Sequence, residues 1–156
     1  MLIRHIAAAA LAVTLAACTD AGTAGSSGTS ATPAPAPAVT DLKAALWPSS
    51  WVVTEIGGKP AISGSEPTLA FDADGKVSGN GTCNRYAGPS TIEGATLKFG
   101  ALISTKMACV GEGLNEQETA YLSALGTAEA AEITPSGELK ITASGGAAIQ
   151  FRKAIP

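Results

Sequence analysis

Apolar and polar positions alternate along much of the chain after residue 47, and this pattern predicts a domain built mainly of β-strands. The alternating runs are rich in β-branched and aromatic residues, and turn residues such as Gly-Gly or Asp-Gly separate them. The predicted strands are Trp51 to Ile56, Thr68 to Asp72, Val77 to Gly79, Thr91 to Glu93, Thr96 to Phe99, Leu102 to Thr105, Leu139 to Ile141 and Ile149 to Phe151.

One later segment has a helical pattern instead. Asn115 is placed as a helix N-cap, and Glu118 three residues later completes the pattern of a capping box. Gly126 is a natural end for this helix. Its narrow apolar stripe consists of Tyr121, Leu122 and Leu125. Together, the segments predict an α+β fold: a small antiparallel β-meander or partial barrel with one α-helix, in a single domain.

The N-terminus predicts export and lipidation. Residues 1–17 combine a short polar start with an apolar run that is too short to span a bilayer. The run ends in Leu-Ala-Ala followed by Cys18, which resembles the lipobox of bacterial lipoproteins. The alternative is an ordinary secretory signal with an incidental cysteine. We predict that Cys18 is acylated and anchors the protein to a membrane. Thr19, in place of the aspartate of many inner-membrane lipoproteins, favours the outer membrane, facing the periplasm.

Residues 18–46 predict a disordered linker between the lipid anchor and the domain at 47–156. Gly, Ser, Thr and Ala dominate its first part, and an Ala-Pro repeat follows at residues 32–38. Within this linker no large apolar residue precedes Val39, so little can offset the entropy of ordering the segment. A Pro-rich segment can also be a docking ligand, but a stiff spacer that lifts the domain off the lipid surface is the simpler interpretation.

Composition excludes several functions. Without Arg4, the mature chain has nine basic and thirteen acidic side chains, and it contains no basic cluster, which argues against nucleic-acid binding. The only histidine is His5, which leaves with the signal peptide. The mature chain therefore lacks His-based catalysis and His-ligated metal sites. We predict no catalytic residues, no metal and no cofactor.

Cys83 and Cys109 are the two cysteines of the exported domain, and a disulfide is the expected state for such a pair. In the chain-entropy model, the bond would stabilise the domain by roughly 3.5 kcal/mol. A redox pair or a metal site is the alternative, although the spacing is not Cys-x-x-Cys. Gly79 and Gly81 precede Cys83, and they are expected to allow positive φ in the turn before it.

These motifs resemble the META domain, the family of the heat-shock lipoprotein HslJ. The resemblance covers about Trp51 to Lys153, with Thr82 standing where the family usually has glycine. It implies a disulfide between the paired cysteines and poorly defined envelope functions: heat induction, novobiocin tolerance, secretion and motility. It supplies no established catalytic residue. The matching segments are Trp51 to Gly58, Leu69 to Gly79, Cys83 to Gly88, Thr105 to Cys109 and Glu118 to Leu125.

We predict a non-enzymatic envelope lipoprotein that acts as an interaction or stress-protection module, with an envelope protein as partner. The alternative is a small-ligand binder with a pocket between sheet and helix. Glu116 and Glu118 are the nearest pair of carboxylates for an enzyme, but two positions apart on a helix they point to different faces. The candidate binding residues are Asn84, Arg85, Tyr86 and Lys106. The structural alternative for them is a turn in which Asn84 satisfies backbone groups and Tyr86 lies in the core.

Overall fold

The computed structural model describes residues 41–155, so the predicted signal peptide, Cys18 and most of the linker lie outside the described residues. Two α-helices, ten strands and a 3₁₀ turn follow one another along the chain. Their bounds are α1 Leu42–Leu46, β1 Ser49–Ile56, β2 Lys59–Pro60, β3 Thr68–Phe71, β4 Lys76–Asn80, β5 Arg85–Glu93, β6 Thr96–Phe99, β7 Ile103–Ser104, α2 Leu114–Gly126, β8 Ala128–Ile133, β9 Leu139–Ala143, the 3₁₀ turn Ser144–Gly146 and β10 Ala148–Lys153.

The strands form a closed antiparallel barrel. Eight of them follow the order β10-β9-β8-β6-β5-β4-β3-β1, and β1 pairs back onto β10. The closing register runs from Trp51 opposite Lys153 to Ile56 opposite Ile149. The expected α+β class is correct, and the predicted meander or partial barrel is roughly right, except that the barrel is closed. The first and last strands carry matching apolar alternation, and pairing them removes both open edges of the sheet.

Inward-facing side chains fill the barrel. Alternate residues of β3 and β9 and of the first part of β10 are buried, as the period of two requires. Helix α2 adds Tyr121 and Leu125, both 0% exposed, and the ring of Tyr121 packs edge-on against Phe151. No helix within residues 41–155 has the length and apolar character needed to cross a membrane. The completely buried interior side chains include Leu69, Leu97, Leu139, Ile141, Ile149 and Phe151.

The predicted hairpins are confirmed. Strands β3 and β4 pair across the Asp-Gly turn, β5 and β6 pair across Gly94, and β9 and β10 form the closing hairpin. Strand β8 was not predicted, because its sequence Ala-Glu-Ala-Ala-Glu-Ile favours a helix by propensity. Pairing with β9 over Ala128 to Ile133 imposes the extended conformation.

Helix α1 corrects the predicted end of the linker. It occupies residues assigned to the linker, with Asp41 as N-cap accepting a hydrogen bond from the Ala44 N–H at 3.1 Å. Leu42 and Leu46 join the core. Five residues are too few to show a helical period in sequence, so packing of the two leucines decides this boundary.

Candidate functional site

A disulfide joins the turn after β4 to the segment after β7, as predicted. Cys83 and Cys109 are 26 positions apart, and their Cα atoms lie 5.6 Å from each other. The carboxylate of Glu118 is the nearest further donor, and the three donor atoms lie within 4.8 Å of one another. Because the two sulfurs are bonded to each other, neither is available as a thiolate ligand in this state.

Glu118 reaches from α2 to the Cys83 turn. Its Oε2 accepts hydrogen bonds from the backbone N–H groups of Cys83 and Asn84, both at 2.8 Å. Its Oε1 accepts a third, from the Asn84 side-chain amide at 2.6 Å. The predicted capping box is therefore wrong. Helix α2 begins at Leu114 with Gly113 as N-cap and no side-chain cap.

Asn84 uses its whole side chain inside the protein. Its Oδ1 accepts from the Thr105 hydroxyl at 2.9 Å and from the Met107 N–H at 2.6 Å. Its amide nitrogen donates to Glu118 and to the Met107 carbonyl. The residue is only 4% exposed. We call Cys83, Asn84, Thr105, Cys109 and Glu118 the polar corner; its hydrogen bonds hold both cysteine segments beside each other.

The polar corner also sets the protonation of its carboxylate. Burial acts to raise the pKa of Glu118, but hydrogen bonds from the N–H groups of Asn84 and Cys83 and from the Asn84 side chain outweigh it. The pKa of Glu118 is therefore lowered from its ordinary value of 4.5. Glu118 is ionised at neutral pH, where it accepts all three hydrogen bonds.

The turn before Cys83 differs from its prediction. The positive φ falls at Thr82, at 148°, and at neither Gly79 nor Gly81. Those two glycines provide space instead. A Cβ on Gly79 would overlap the Thr68 carbonyl, and one on Gly81 would meet the Glu118 side chain at 3.2 Å. The position where the META resemblance expects glycine is thus the one whose backbone favours glycine.

Tyr86 belongs to the core. Its hydroxyl and that of Tyr121 share a hydrogen bond of 2.7 Å, and both hydroxyls lie within hydrogen-bond distance of the Thr68 carbonyl, at 2.8 and 3.2 Å. Desolvation raises the pKa of Tyr86 and of Tyr121 above their usual range, so both remain neutral phenols. The structural alternative therefore describes the positions of Asn84 and Tyr86.

A groove of about 1000 Å³ lies on the outer face of the barrel, and we call it the outer groove. Strands β4, β5 and β7 supply most of its walls. Arg85 and Tyr86 line it, whereas Asn84 and Lys106 do not. Lys106 lies exposed on the segment between β7 and Cys109. The groove's outward-facing residues are Lys76, Ser78, Asn80, Arg85, Ala87, Pro89 and Ile103.

A second pocket, of about 270 Å³, lies between the β1–β2 hairpin and the start of α2. Gln117 fixes this region: its Oε1 accepts from the Ile62 N–H at 2.7 Å, and its amide donates to Ser65 and Thr82. This pocket matches the predicted location between sheet and helix but contains none of the predicted residues. Its wall consists of Ile56, Lys59, Pro60, Ile62, Gly113, Glu116, Gln117 and Ala120.

Sequence reasoning missed the structural roles of Glu118, Gln117 and Thr105. It assigns Glu118 only a capping role, because the spacing to Asn115 fits that pattern and the distant turn is invisible in sequence. One signal was available: Glu118 lies on the same helical face as Tyr121 and Leu125, which predicts burial. A carboxylate on a buried helix face needs hydrogen-bond donors. The backbone N–H groups of a turn beside a cysteine can supply them.

The META domain family matches residues 44–155. The chain belongs to this family. The match begins inside α1 and ends two residues after β10, so it covers the whole barrel. The matched residues include both cysteine segments and the helix that carries Glu118.

Two solved structures share the fold. An NMR structure of a protein from Burkholderia xenovorans is 26% identical, with a TM-score of 0.62, and the similarity covers 79% of this chain and 93% of that one. A second NMR structure is 22% identical, with a TM-score of 0.59 over 70% of this chain and 93% of the other, and it speaks for the fold alone. None of the curated proteins matches the chain.

Proposed function

We propose that this protein is a lipid-anchored, non-enzymatic envelope protein of the HslJ-like type whose META domain acts as an interaction module. The observation that carries this proposal is the position of open space in the domain. Side chains fill the barrel interior, and the outer groove, of about 1000 Å³, lies on the outer face. A barrel that stores a small ligand needs a lined internal cavity, whereas a partner that docks from outside needs an accessible surface.

The rigidity of the neighbouring segment supports the same proposal. Thr105 is bonded to Asn84 through its hydroxyl, and its N–H donates to the Arg85 carbonyl at 3.0 Å. The disulfide anchors the same segment four residues later. A surface that is ordered before the partner arrives loses less conformational entropy on binding.

The anchor and location complete the proposal. Cys18 would become the acylated N-terminus, and the linker would hold the domain at the periplasmic face of the outer membrane. Intact-mass analysis of the membrane-extracted protein tests this part, with a lipid adduct on Cys18 as the expected result. A soluble product with a free Cys18 thiol contradicts it.

Two outward-facing positions on β5 give a matched test of the interaction surface. Ala87 lies in the outer groove, and Thr91, four residues later, lies on the same face of the strand but outside it. Ala87→Trp should fill the groove and abolish rescue of an envelope-stress phenotype in a deletion strain. Thr91→Trp should rescue fully. A photocrosslinking residue at 87, but not at 91, should give discrete adducts in intact cells.

Equal rescue by both tryptophan variants, together with equal crosslinking at both positions, would place the functional surface elsewhere. Melting temperatures of the two variants close to that of the wild type are needed for the comparison, and exposed positions of this kind usually allow it.

The pocket between the β1–β2 hairpin and α2 supports a second candidate, a small-ligand binder. It is enclosed on one side by the helix and on the other by Ile56 and Pro60. Ala120→Phe should fill this pocket and remove any ligand-induced rise in melting temperature, whereas a Ser123→Phe control on the same helix should not. If Ala120→Phe also rescues the deletion strain, this candidate fails and the interaction module stands.

A further inference from the structure

The outer groove has charged ends and a small-residue centre. The register of β4 and β5 places Lys76 opposite Pro89 at one end and Asn80 opposite Arg85 at the other. Ser78 and Ala87 face each other between them. All six side chains point outward, because alternate residues of the two strands are exposed. The centre is therefore open while both ends carry long side chains.

The charge of the groove is opposite to that of the chain. Lys76 and Arg85 are its only charged residues, and no carboxylate lines it. Within residues 41–155 the one ion pair joins Lys140 and Glu132, so neither cation of the groove is neutralised there by a salt bridge. The whole chain has a net charge of −3. Two cationic side chains that form no salt bridge, on a protein with a net negative charge, are complementary to an anionic partner.

The distance between the two cations selects the form of the partner. Lys76 and the pair Asn80–Arg85 are four positions apart along β4, which corresponds to about 13 Å at roughly 3.3 Å per residue. In an extended peptide, side chains at positions i and i+4 lie on the same face and the same distance apart. The intervening residue i+2 would lie over Ser78 and Ala87, the open centre of the groove.

We infer that the outer groove binds an extended acidic segment of a partner protein, with two carboxylates four residues apart. This inference rests on the proposed function, because it names the partner of the same surface. Lys76 and Arg85 each bind one carboxylate, and Arg85 offers a bidentate fork. A membrane surface is flat on this scale and does not enter a concave groove between strands, so a chain-like ligand fits better.

Synthetic peptides test the spacing directly. The probe has the core Glu-Thr-Ala-Thr-Glu, its isomer Glu-Thr-Ala-Glu-Thr has the acids three positions apart, and a third peptide carries lysines in place of both glutamates. Fluorescence anisotropy with the purified full chain should show binding of the first peptide about tenfold tighter than of the isomer, because only the first places both carboxylates on one face. The lysine peptide should not bind.

Charge reversal of the protein tests the site. Lys76→Glu/Arg85→Glu should lose the glutamate peptide and gain the lysine peptide. Lys98→Glu/Lys153→Glu makes the same charge change on exposed lysines outside the groove and should leave the affinity within about twofold. Equal binding of the two glutamate isomers overturns the inference, and so does equal loss of affinity in both double variants.

Three further outcomes relate this inference to the proposed function. If no peptide binds, yet Lys76→Glu/Arg85→Glu fails to rescue the deletion strain while the control rescues, the interaction surface stands and the acidic partner is wrong. If the full chain instead binds vesicles of anionic phospholipid through Lys76 and Arg85, the partner is the membrane and the inference is likewise overturned. If both double variants rescue fully and no peptide binds, both proposals fail.

Discussion

Asn84 and Arg85 are consecutive residues, and the fold uses them in opposite ways. The Asn84 side chain lies in the polar corner, 4% exposed, with every hydrogen-bonding group used by the protein itself. Arg85 is exposed at the end of the outer groove and forms no ion pair among the described residues. The change occurs where β5 begins, because successive side chains of a strand point to opposite faces.

This difference separates two roles that look alike in sequence. Polar residues beside a disulfide turn are candidates for binding because of their residue type. In the polar corner, however, the side chains already form their hydrogen bonds within the protein. The outer groove, by contrast, leaves Lys76 and Arg85 free for another molecule. We therefore expect substitutions in the polar corner to lower stability, and substitutions in the outer groove to impair function. The following changes test that division.

The largest expected effect is that of Glu118→Ala. Three buried or half-buried donors lose their common acceptor, and each unsatisfied group costs about 1–3 kcal/mol. We expect the free energy of unfolding to fall by about 4 kcal/mol in a urea titration. Glu116→Ala, an exposed carboxylate on the same helix, is the control and should change stability by less than about 0.5 kcal/mol. Similar losses from both would remove the special role of Glu118.

Loss of the disulfide should have a slightly smaller effect. Cys83→Ser and Cys109→Ser should each destabilise the domain by about 3.5 kcal/mol, and the double variant should be little worse, because one bond is shared. Denaturant titrations of the three variants measure this. Clearly additive losses would mean that the two cysteines act separately.

Asn84→Ala and Arg85→Ala compare the two neighbours directly. Asn84→Ala should lower the free energy of unfolding by about 2 kcal/mol, since it removes the link between Glu118 and the Met107 backbone. Arg85→Ala should leave the melting temperature nearly unchanged and reduce rescue of the envelope-stress phenotype. A collapse of the melting temperature in Arg85→Ala would instead give this residue a structural role.

Acid should weaken the polar corner through Glu118. The folded-state pKa of Glu118 is lowered, so its contribution is fully present above the unfolded value near 4.5 and is lost as pH falls through the folded value. The difference in stability between wild type and Glu118→Gln should therefore be constant at neutral pH and shrink below pH about 4.5. If the difference in stability between wild type and Glu118→Gln stays unchanged at acidic pH, folding does not lower the pKa of Glu118.

The smallest expected effect is at Thr82. Thr82→Gly relieves a positive φ in a β-branched residue, which favours folding, but it loses the hydrogen bond from Gln117 and adds freedom to the unfolded chain. These terms nearly cancel, so the stability change should stay within about 1 kcal/mol. Thr82→Val keeps the strained shape without the hydroxyl and should be less stable than Thr82→Gly. The reverse order would show that the backbone at this turn is not strained.

Much of the fold could be predicted because short-range patterns specify it. The Asp-Gly and Glu-Gly turns identify the β3–β4 and β5–β6 hairpins, and Gly126 marks the observed end of α2. Closure of the barrel could not be predicted, because it depends on register between β1 and β10, almost a hundred residues apart in the chain. The same limit explains the misassigned role of Glu118, whose partners Cys83 and Asn84 are separated from it by more than thirty positions.

The sequence by itself determined most of the strands, the main helix, the cysteine pair and the family resemblance, because local alternation, turn chemistry and motif spacing are properties of neighbouring residues. It also shows that residues 41–155 contain no histidine. Only the tertiary structure decided which polar side chains form hydrogen bonds within the protein and which remain available to another molecule. Burial and hydrogen bonding depend on what packs against a side chain. For Asn84 and Arg85, the surroundings are formed by β7, α2 and the closed barrel, and they do not follow from the identity of the two residues.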